Sequence, residues 1–514
     1  MFVFNADGTN EQATDAAQGQ AHYLALIGIF FLVHSLLTSF RTLAMTSSNS
    51  APRRALKAID IFFLVVAAAA PLAAVAGNGA LGVLLGNGVG MPASYLMAGA
   101  VLILFAVGFV RMSPHVTHSG AFYAYVRHGL GAQAGGAAAF MAIIVYMMMV
   151  VGSAAGFGFF ANLFFAENLG FDLSWKLWAA LSLLIVGLVG YREVTLGARL
   201  LSVLLTLEVL ILVAFACAVF WPSSPAPVTF GSFSPSNIFS GSLGVGLMFA
   251  FVSFLGFESA AIYTEEAEEG YRTVSRALIA AVLFIAVFYA IAMWAVIEAF
   301  GEAKVVAAAG ENPGTLIFRA FGLFMHPAFT VAVEFLMVTS ALAATIALHN
   351  AASRYLFALG GEGMLPRSLA SLHPKLNSPH IASVAVSLIT SVMVLLFAIC
   401  NADPLMTTLS STFGLAALGI ILLQAATSLS VVVFTCRKQR DTGVALNLVI
   451  GLLATAGLVV AAVLVVMNYS TLTGSLGLLD YAPWLIPLSA VIGIAVASRS
   501  QSDLGTAAAK PATR

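Results

Sequence analysis

Charge is what this sequence has least of. Only 9% of its 514 residues are Asp, Glu, Lys or Arg, where an average soluble domain carries about 25%. Apolar residues make up 61% and the mean hydropathy is +1.00. A water-soluble fold would have almost no polar surface to present, so a soluble enzyme and a disordered chain are both excluded. The 22 Lys and Arg balance the 22 Asp and Glu. No basic field is left for a polyanion, and a nucleic-acid partner is excluded with it. Cysteine is nearly missing: Cys217, Cys400 and Cys436 lie in or at the ends of apolar runs, too few for a disulfide framework or a thiolate metal site. There is no H-E-x-x-H run and no Ser–His constellation to make a membrane enzyme, and no continuous polar stripe to line a channel. No cofactor and no metal are expected.

What the sequence has in abundance is long apolar stretches. A helix needs about 20 apolar residues to cross a bilayer. Twelve runs meet that need, at 59–90, 93–111, 137–164, 175–190, 200–221, 242–263, 277–299, 327–357, 381–400, 405–434, 444–467 and 482–498. A further one lies at 21–40. The links between them are short, and the longest, of about 20–30 residues, fall below the size of a soluble domain. The pattern predicts an all-α polytopic membrane protein of twelve transmembrane helices. Residues 1–50 form an N-terminal tail whose segment 21–40 is either a thirteenth span or lies upstream of a translation start at Met45. The acidic first twenty residues (Asp7, Glu11, Asp15) lack the positive start of a signal peptide. With alternating runs, eighteen Lys and Arg fall on the side that holds Arg53, Arg54 and Lys57, and three (Lys176, Lys304, Arg319) on the other. By the positive-inside rule the twelve-helix body has both ends in the cytoplasm, as expected for a cell-membrane protein, inner or plasma.

Two runs are interrupted. Backbone groups in lipid must be bonded within the helix, so Pro and Gly inside a span need a reason. The first run reads IFFLVVAAAAPLAAVAGNGALGVLLGNGVG, with Pro71 at mid-span and Gly77, Gly79 and Gly82 after it. The sixth reads GSLGVGLMFAFVSFLGFESAAIYTEE, with Gly256 just before Glu258. First and sixth are corresponding positions of two five-helix halves, the signature of an inverted-repeat transporter with its site at the two breaks. Other glycines, as in Gly152-x-x-x-Gly156, read as close helix packing. The literal G-x-G-x-x-G at Gly77–Gly82 has neither the preceding strand nor the later acid of a dinucleotide site.

The first run, the cytoplasmic stretch SGAFYAYVRHGLG (119–131), GFESAAIYTEEAEEGYRTVSRA (256–277) and HNAASRYLFALGGEGMLP (349–366) resemble amino acid permeases of the amino acid–polyamine–organocation (APC) superfamily, over residues 51 to about 498. The resemblance implies a first five-helix repeat at 51–222, a second at 223–435, two additional helices at 436–498 and a cytoplasmic tail at 499–514. It implies a transporter for an amino acid or related amine. The substrate carboxylate would sit on the broken first helix at Ala76, Gly77, Asn78 and Gly79, and the ammonium on the broken sixth at Phe251, Val252, Ser253 and Phe254, with Phe254 a candidate aromatic gate. Gly270 and Ser275 stand where relatives have Pro. Several relatives carry a Lys in the fifth helix in place of a sodium ion; this chain reads ARLLSVLLTLEVLIL, with Glu208 there.

Glu208, Glu258 and Glu334 lie inside apolar runs. A buried acid in lipid is expensive when charged, so it is protonated, paired or turned to a cavity, and it marks function by default. Glu208 and Glu258 are read as proton-coupling candidates. Glu258 is also placed to cap a half-helix, and Glu334 reads as a structural acid near the outer end of its run. Thr339 and Ser340 are candidate ligands of a cation, with ordinary intrahelical bonding as the plain alternative. Tyr146 is a candidate substrate contact. His115, His118 and His128 fit no metal spacing, and His349 reads as a buried hydrogen-bonder. Glu265, Glu266, Glu268 and Glu269 form either a solvated loop or an inner lock on Arg272, Arg276 or Arg354. The expected activity is alternating-access symport with a proton, sodium being the other coupling ion open; substrate exchange without net proton flow is the alternative.

Overall fold

The computed structural model describes residues 57–116, 121–192, 198–221, 228–257, 267–268, 270–438, 444–474 and 476–508. Segment 21–40, His118, Glu258, Glu265, Glu266 and Glu269 lie outside the described residues. Described residues form helices joined by short turns. In chain order the main ones are α1 (Ala58–Ala68), α2 (Pro71–Leu85), α3 (Met91–Met112), α4 (Ala121–Leu130), α5 (Ala132–Leu169), α6 (Trp175–Arg192), α7 (Ala198–Val219), α8 (Leu243–Ser253) and α9 (Tyr271–Phe300). They continue with α10 (Val305–Glu311), α11 (Leu316–Phe324), α12 (Pro327–Gly361), α13 (His380–Ile399), α14 (Ser410–Lys438), α15 (Val444–Met467) and α16 (Leu485–Ala508).

Each of the twelve apolar runs contains helix among its described residues. Among the described residues nine helices are long and apolar enough to cross a membrane, and α1 with α2 makes a tenth as one span bent by 41°. The fifth and sixth runs appear as the shorter apolar helices Val203–Val219 and Leu243–Ser253. α4, by contrast, is short and carries Arg127 and His128 in its last turn.

Pro71 fixes where the first span breaks. The residue before a proline is disfavoured in right-handed helix, and Ala70 sits in the left-handed region at φ 45° and ψ 72°. α1 therefore stops at Ala68, and α2 restarts with Pro71 at its first position, where no N–H is needed. The glycines that follow do not unwind the chain. Ala74–Gly79 instead widens into a π-helical turn inside α2. A second π-turn, Pro404–Leu409, leads into α14, capped by Asp403, whose carboxylate accepts from Leu405 N and Met406 N. Such turns recur at functional sites because they displace backbone groups from the helical ladder. α8 ends at Ser253, and Gly256 follows at φ 99°, in a region few other residues adopt.

Small residues let the long helices cross closely. A Cβ on Gly493 of α16 would lie 2.2 Å from Gly136 O of α5. The largest fully buried side chains include Tyr95, Tyr289, Phe249, Phe254 and Phe257, which gather where α2, α3, α8 and α9 meet.

Candidate functional site

A cavity of about 830 Å³ lies against the break of the first span. One wall is Ala69, Ala70, Ala73, Ala74, Gly77 and Asn78 of the α1–α2 corner, with Val252, Ser253, Leu255 and Gly256 from the end of α8. The facing wall is a helical stripe of α5, namely Tyr146, Met149, Ser153, Gly156, Phe157 and Phe160, together with Met337, Ala341 and Ala344 of α12 and Leu409 and Phe413 at the second π-turn and α14. At one end Phe160 meets Phe318 of α11 edge-on at 6.2 Å, and the Phe159 ring covers Gly314. At the other end the cavity reaches Tyr123, Arg354, Leu372 and Asn377. Arg354 is the one charged side chain among the described residues that line it.

Polar groups are few and tied down. Asn78 Nδ2 donates to Ser253 Oγ at 3.1 Å, a bridge between the two discontinuous elements, and Ser253 donates to Phe249 O at 2.7 Å. Ser153 and Thr345 share a 2.7 Å hydroxyl contact that joins α5 to α12, and Thr345 donates to Ala341 O. Tyr146 faces Tyr355 at 5.2 Å, and Tyr355 faces Tyr123 at 5.9 Å. At the mouth, Tyr123 donates to Glu362 Oε1 at 2.6 Å and Arg127 pairs with Glu362 Oε2 at 2.9 Å. Burial, reinforced by the Glu362 carboxylate, pushes the Tyr123 phenol well above its ordinary pKa, so it stays a donor at neutral pH.

Glu208 of α7 is 4% exposed, and its Oε2 accepts from Leu72 N at 3.2 Å. Leu72 N is the first backbone donor of α2, because Pro71 has none. A carboxylate at a helix N-terminus satisfies an orphan N–H and the helix dipole together. The Ser340 hydroxyl of α12 adjoins the same carboxylate.

The structure thus brings Gly77, Asn78, Val252, Ser253 and Tyr146 to the cavity wall. Ala76, Gly79, Phe251 and Phe254 are buried behind it: a Cβ on Gly79 would meet Met293 and Tyr95, and Phe254 packs on Tyr289. Ala76–Gly79 is helical rather than unwound, so the backbone break lies six residues upstream of Ala76, at Ala70. Ser340 is buried near Glu208 but its Oγ makes no hydrogen bond to it, whereas Thr339 Oγ1 donates to Leu336 O of its own helix. Glu334 accepts from Asn168 Nδ2 at 2.9 Å, away from the cavity. His349 bonds Ser387 Oγ at 2.9 Å between α12 and α13, and His115 and His128 pack on Phe434. Ser153, Phe157, Phe160, Phe413 and Tyr355 were not singled out from sequence. For the α5 group a signal existed, since Tyr146, Met149, Ser153, Gly156 and Phe160 recur at helical spacing.

A sequence profile described as "Amino acid permease" matches residues 56–496. The chain is 24% identical over 308 residues to the branched-chain amino acid permease BcaP of Lactococcus lactis subsp. cremoris (strain MG1363), a match covering 56% of this chain and 64% of that protein's length. It is 23% identical over 367 residues to the branched-chain amino acid permease BcaP of Bacillus subtilis (strain 168), covering 66% and 74%. An uncharacterized transporter of Mycobacterium tuberculosis (strain ATCC 25618 / H37Rv) is 24% identical over 337 residues, covering 64% and 69%.

Proposed function

The chain belongs to the amino acid permease family, and from that premise we propose that it is a secondary transporter moving an amino acid with an apolar side chain by alternating access. It works in a cell membrane through twelve spans, ten of them two inverted five-helix repeats, with the Arg354 end of the cavity toward the cytoplasm. The apolar wall of Met149, Phe157, Phe160, Met337 and Phe413 supports an apolar substrate side chain, and two relatives are named for branched-chain amino acids. The substrate's charged ends lie on the α1–α2 corner and the end of α8, next to the Asn78–Ser253 bridge.

Coupling is by proton symport through Glu208, with Glu258 a second candidate. One observation carries this reading: the buried Glu208 carboxylate holds Leu72 N, the N–H at which the cavity-lining first span restarts. Protonation removes the charge from that bond, and a charge-assisted hydrogen bond is roughly twice as strong as a neutral one. The state of the proton is thereby linked to the shape of the cavity wall.

The test is uptake into proteoliposomes of a labelled panel (leucine, isoleucine, valine, phenylalanine, lysine, putrescine), with and without an inward proton gradient, for wild type and Glu208→Gln. Leucine-type uptake that needs the gradient and is lost in the variant supports the reading. Gradient-independent uptake that needs internal substrate assigns exchange instead. Dependence on sodium in place of the proton gradient moves the coupling to a cation held by Glu208, Thr339 and Ser340. Failure to move any panel member refutes the amino acid assignment.

A further inference from the structure

The corner at Ala70 is strained, and what holds it is not the first span itself. A non-glycine residue at positive φ persists only where its surroundings over-determine it, and such residues cluster where function uses the strain. Here the restraint is built from three separate helices. Tyr289 Oη of α9 donates to Ala69 O at 3.0 Å, satisfying the carbonyl at the end of α1. Glu208 of α7 takes Leu72 N on the other side of the corner. Tyr95 Oη of α3 donates to Ala74 O at 3.0 Å, at the start of the π-turn. Tyr95 and Tyr289 are both fully buried and meet edge-on at 5.4 Å. Tyr289 also packs on Phe254 at the end of α8, at 6.2 Å. One tyrosine therefore touches both interrupted elements of the cavity wall while reaching no part of the cavity itself.

We infer that Tyr289 is a positioning residue of the transport cycle: its bond to Ala69 O pins the end of α1 at the strained Ala70 corner and ties that corner to the end of α8. The inference rests on the transport reading above but names a role that reading does not contain. The two half-helices are held by different partners, the end of α1 by α9 and the start of α2 by α7. Loss of the Tyr289 bond lets Ala70 leave its strained geometry and frees α1 to move against α2. Tyr289 itself does not line the cavity, so its loss changes the conformational step more than it changes binding.

The experiment uses full-length protein with Cys217, Cys400 and Cys436 replaced by Ser and a reporter Ala344→Cys on the cavity wall. Tyr289→Phe keeps the ring and removes only the hydroxyl. Expected results are a leucine Kd within about two-fold of wild type, a Vmax lower by about five-fold, and alkylation of the reporter from the Arg354 side faster by about five-fold, the scale set by one buried hydrogen bond. Ala70→Gly relieves the strain at positive φ without touching the tyrosine, so Tyr289→Phe combined with Ala70→Gly returns both Vmax and alkylation toward wild type. A raised KM at unchanged Vmax, wild-type alkylation in Tyr289→Phe, or no rescue by Ala70→Gly would each overturn the inference. Size-exclusion profiles separate these outcomes from misfolding. If leucine proves not to be a substrate, the alkylation and rescue arms still decide the role of Tyr289, so the two readings fail separately.

Discussion

Replacing Glu208 by Leu and by Gln separates two jobs that one carboxylate does. Its structural job is to accept from Leu72 N, the first donor of α2, at a buried place. Leucine matches the volume roughly but accepts nothing. The Leu72 N–H would then be buried without a partner, which costs about 1–3 kcal/mol. Glutamine keeps an acceptor oxygen for Leu72 N. Its loss is confined to the charge-assisted part of the bond, about 1 kcal/mol. Glu208→Leu is therefore expected to melt lower than Glu208→Gln by about 1–2 °C, read as the monodisperse fraction left after heating in detergent. Transport should rank differently: both variants lose gradient-driven accumulation, since neither takes up a proton. If Glu208→Gln melts as low as Glu208→Leu, the charge rather than the acceptor holds the corner, and this account of the break is wrong.

Other expectations follow from neighbouring contacts. Asn78→Ala removes the bridge to Ser253 and should raise the leucine KM by about five-fold, the scale of one buried hydrogen bond, with folded yield unchanged; an unaltered KM would remove Asn78 from the site. Ala344→Trp places an indole in the 830 Å³ cavity and should abolish uptake while the protein still elutes as a single peak. Gly493→Ala drives a Cβ to 2.2 Å from Gly136 O, where only backbone can yield. A loss of about 1–3 kcal/mol should show as a lowered melting temperature, and an unchanged one would mean that α5 and α16 part freely. Glu362→Gln breaks an ion pair whose Arg127 partner is half exposed but leaves Tyr123 an acceptor, so melting should shift by less than 1 °C, as exposed pairs contribute roughly 0–1 kcal/mol.

How much of this was legible in the residues depends on whether the cause was local. Twelve apolar runs give helices because bilayer thickness and hydropathy are properties of a window of sequence. The interruption of the first span was legible for the same reason: Pro71 acts on its own neighbour. Its placement was less so. A cluster of glycines reads as unwinding, yet in a packed interior Gly79 and Gly82 are used for close approach, with Met293 and Tyr95 against the missing Cβ of the first and Met91 against that of the second, while Gly77 faces the open cavity, and the backbone there only widens into a π-turn. The corner fell at Ala70, a residue with no turn preference of its own, because Pro71, with Glu208 on Leu72 N and Tyr95 on Ala74 O, fixes the chain after it, and Tyr289 on Ala69 O fixes the chain before it. Those side chains could not be found by pattern. Tyr289 lies 220 residues from Ala69 and Glu208 136 from Leu72, and a buried tyrosine in an apolar helix looks like packing until its hydroxyl is seen to have a destination. Glu208 could be singled out because an acid in lipid demands a reason by itself. Tyr289 makes no such demand, since a phenol is cheap to bury once it is bonded. A charged residue in a span announces itself in sequence, whereas the neutral groups that aim the backbone around it are identified only by what they touch.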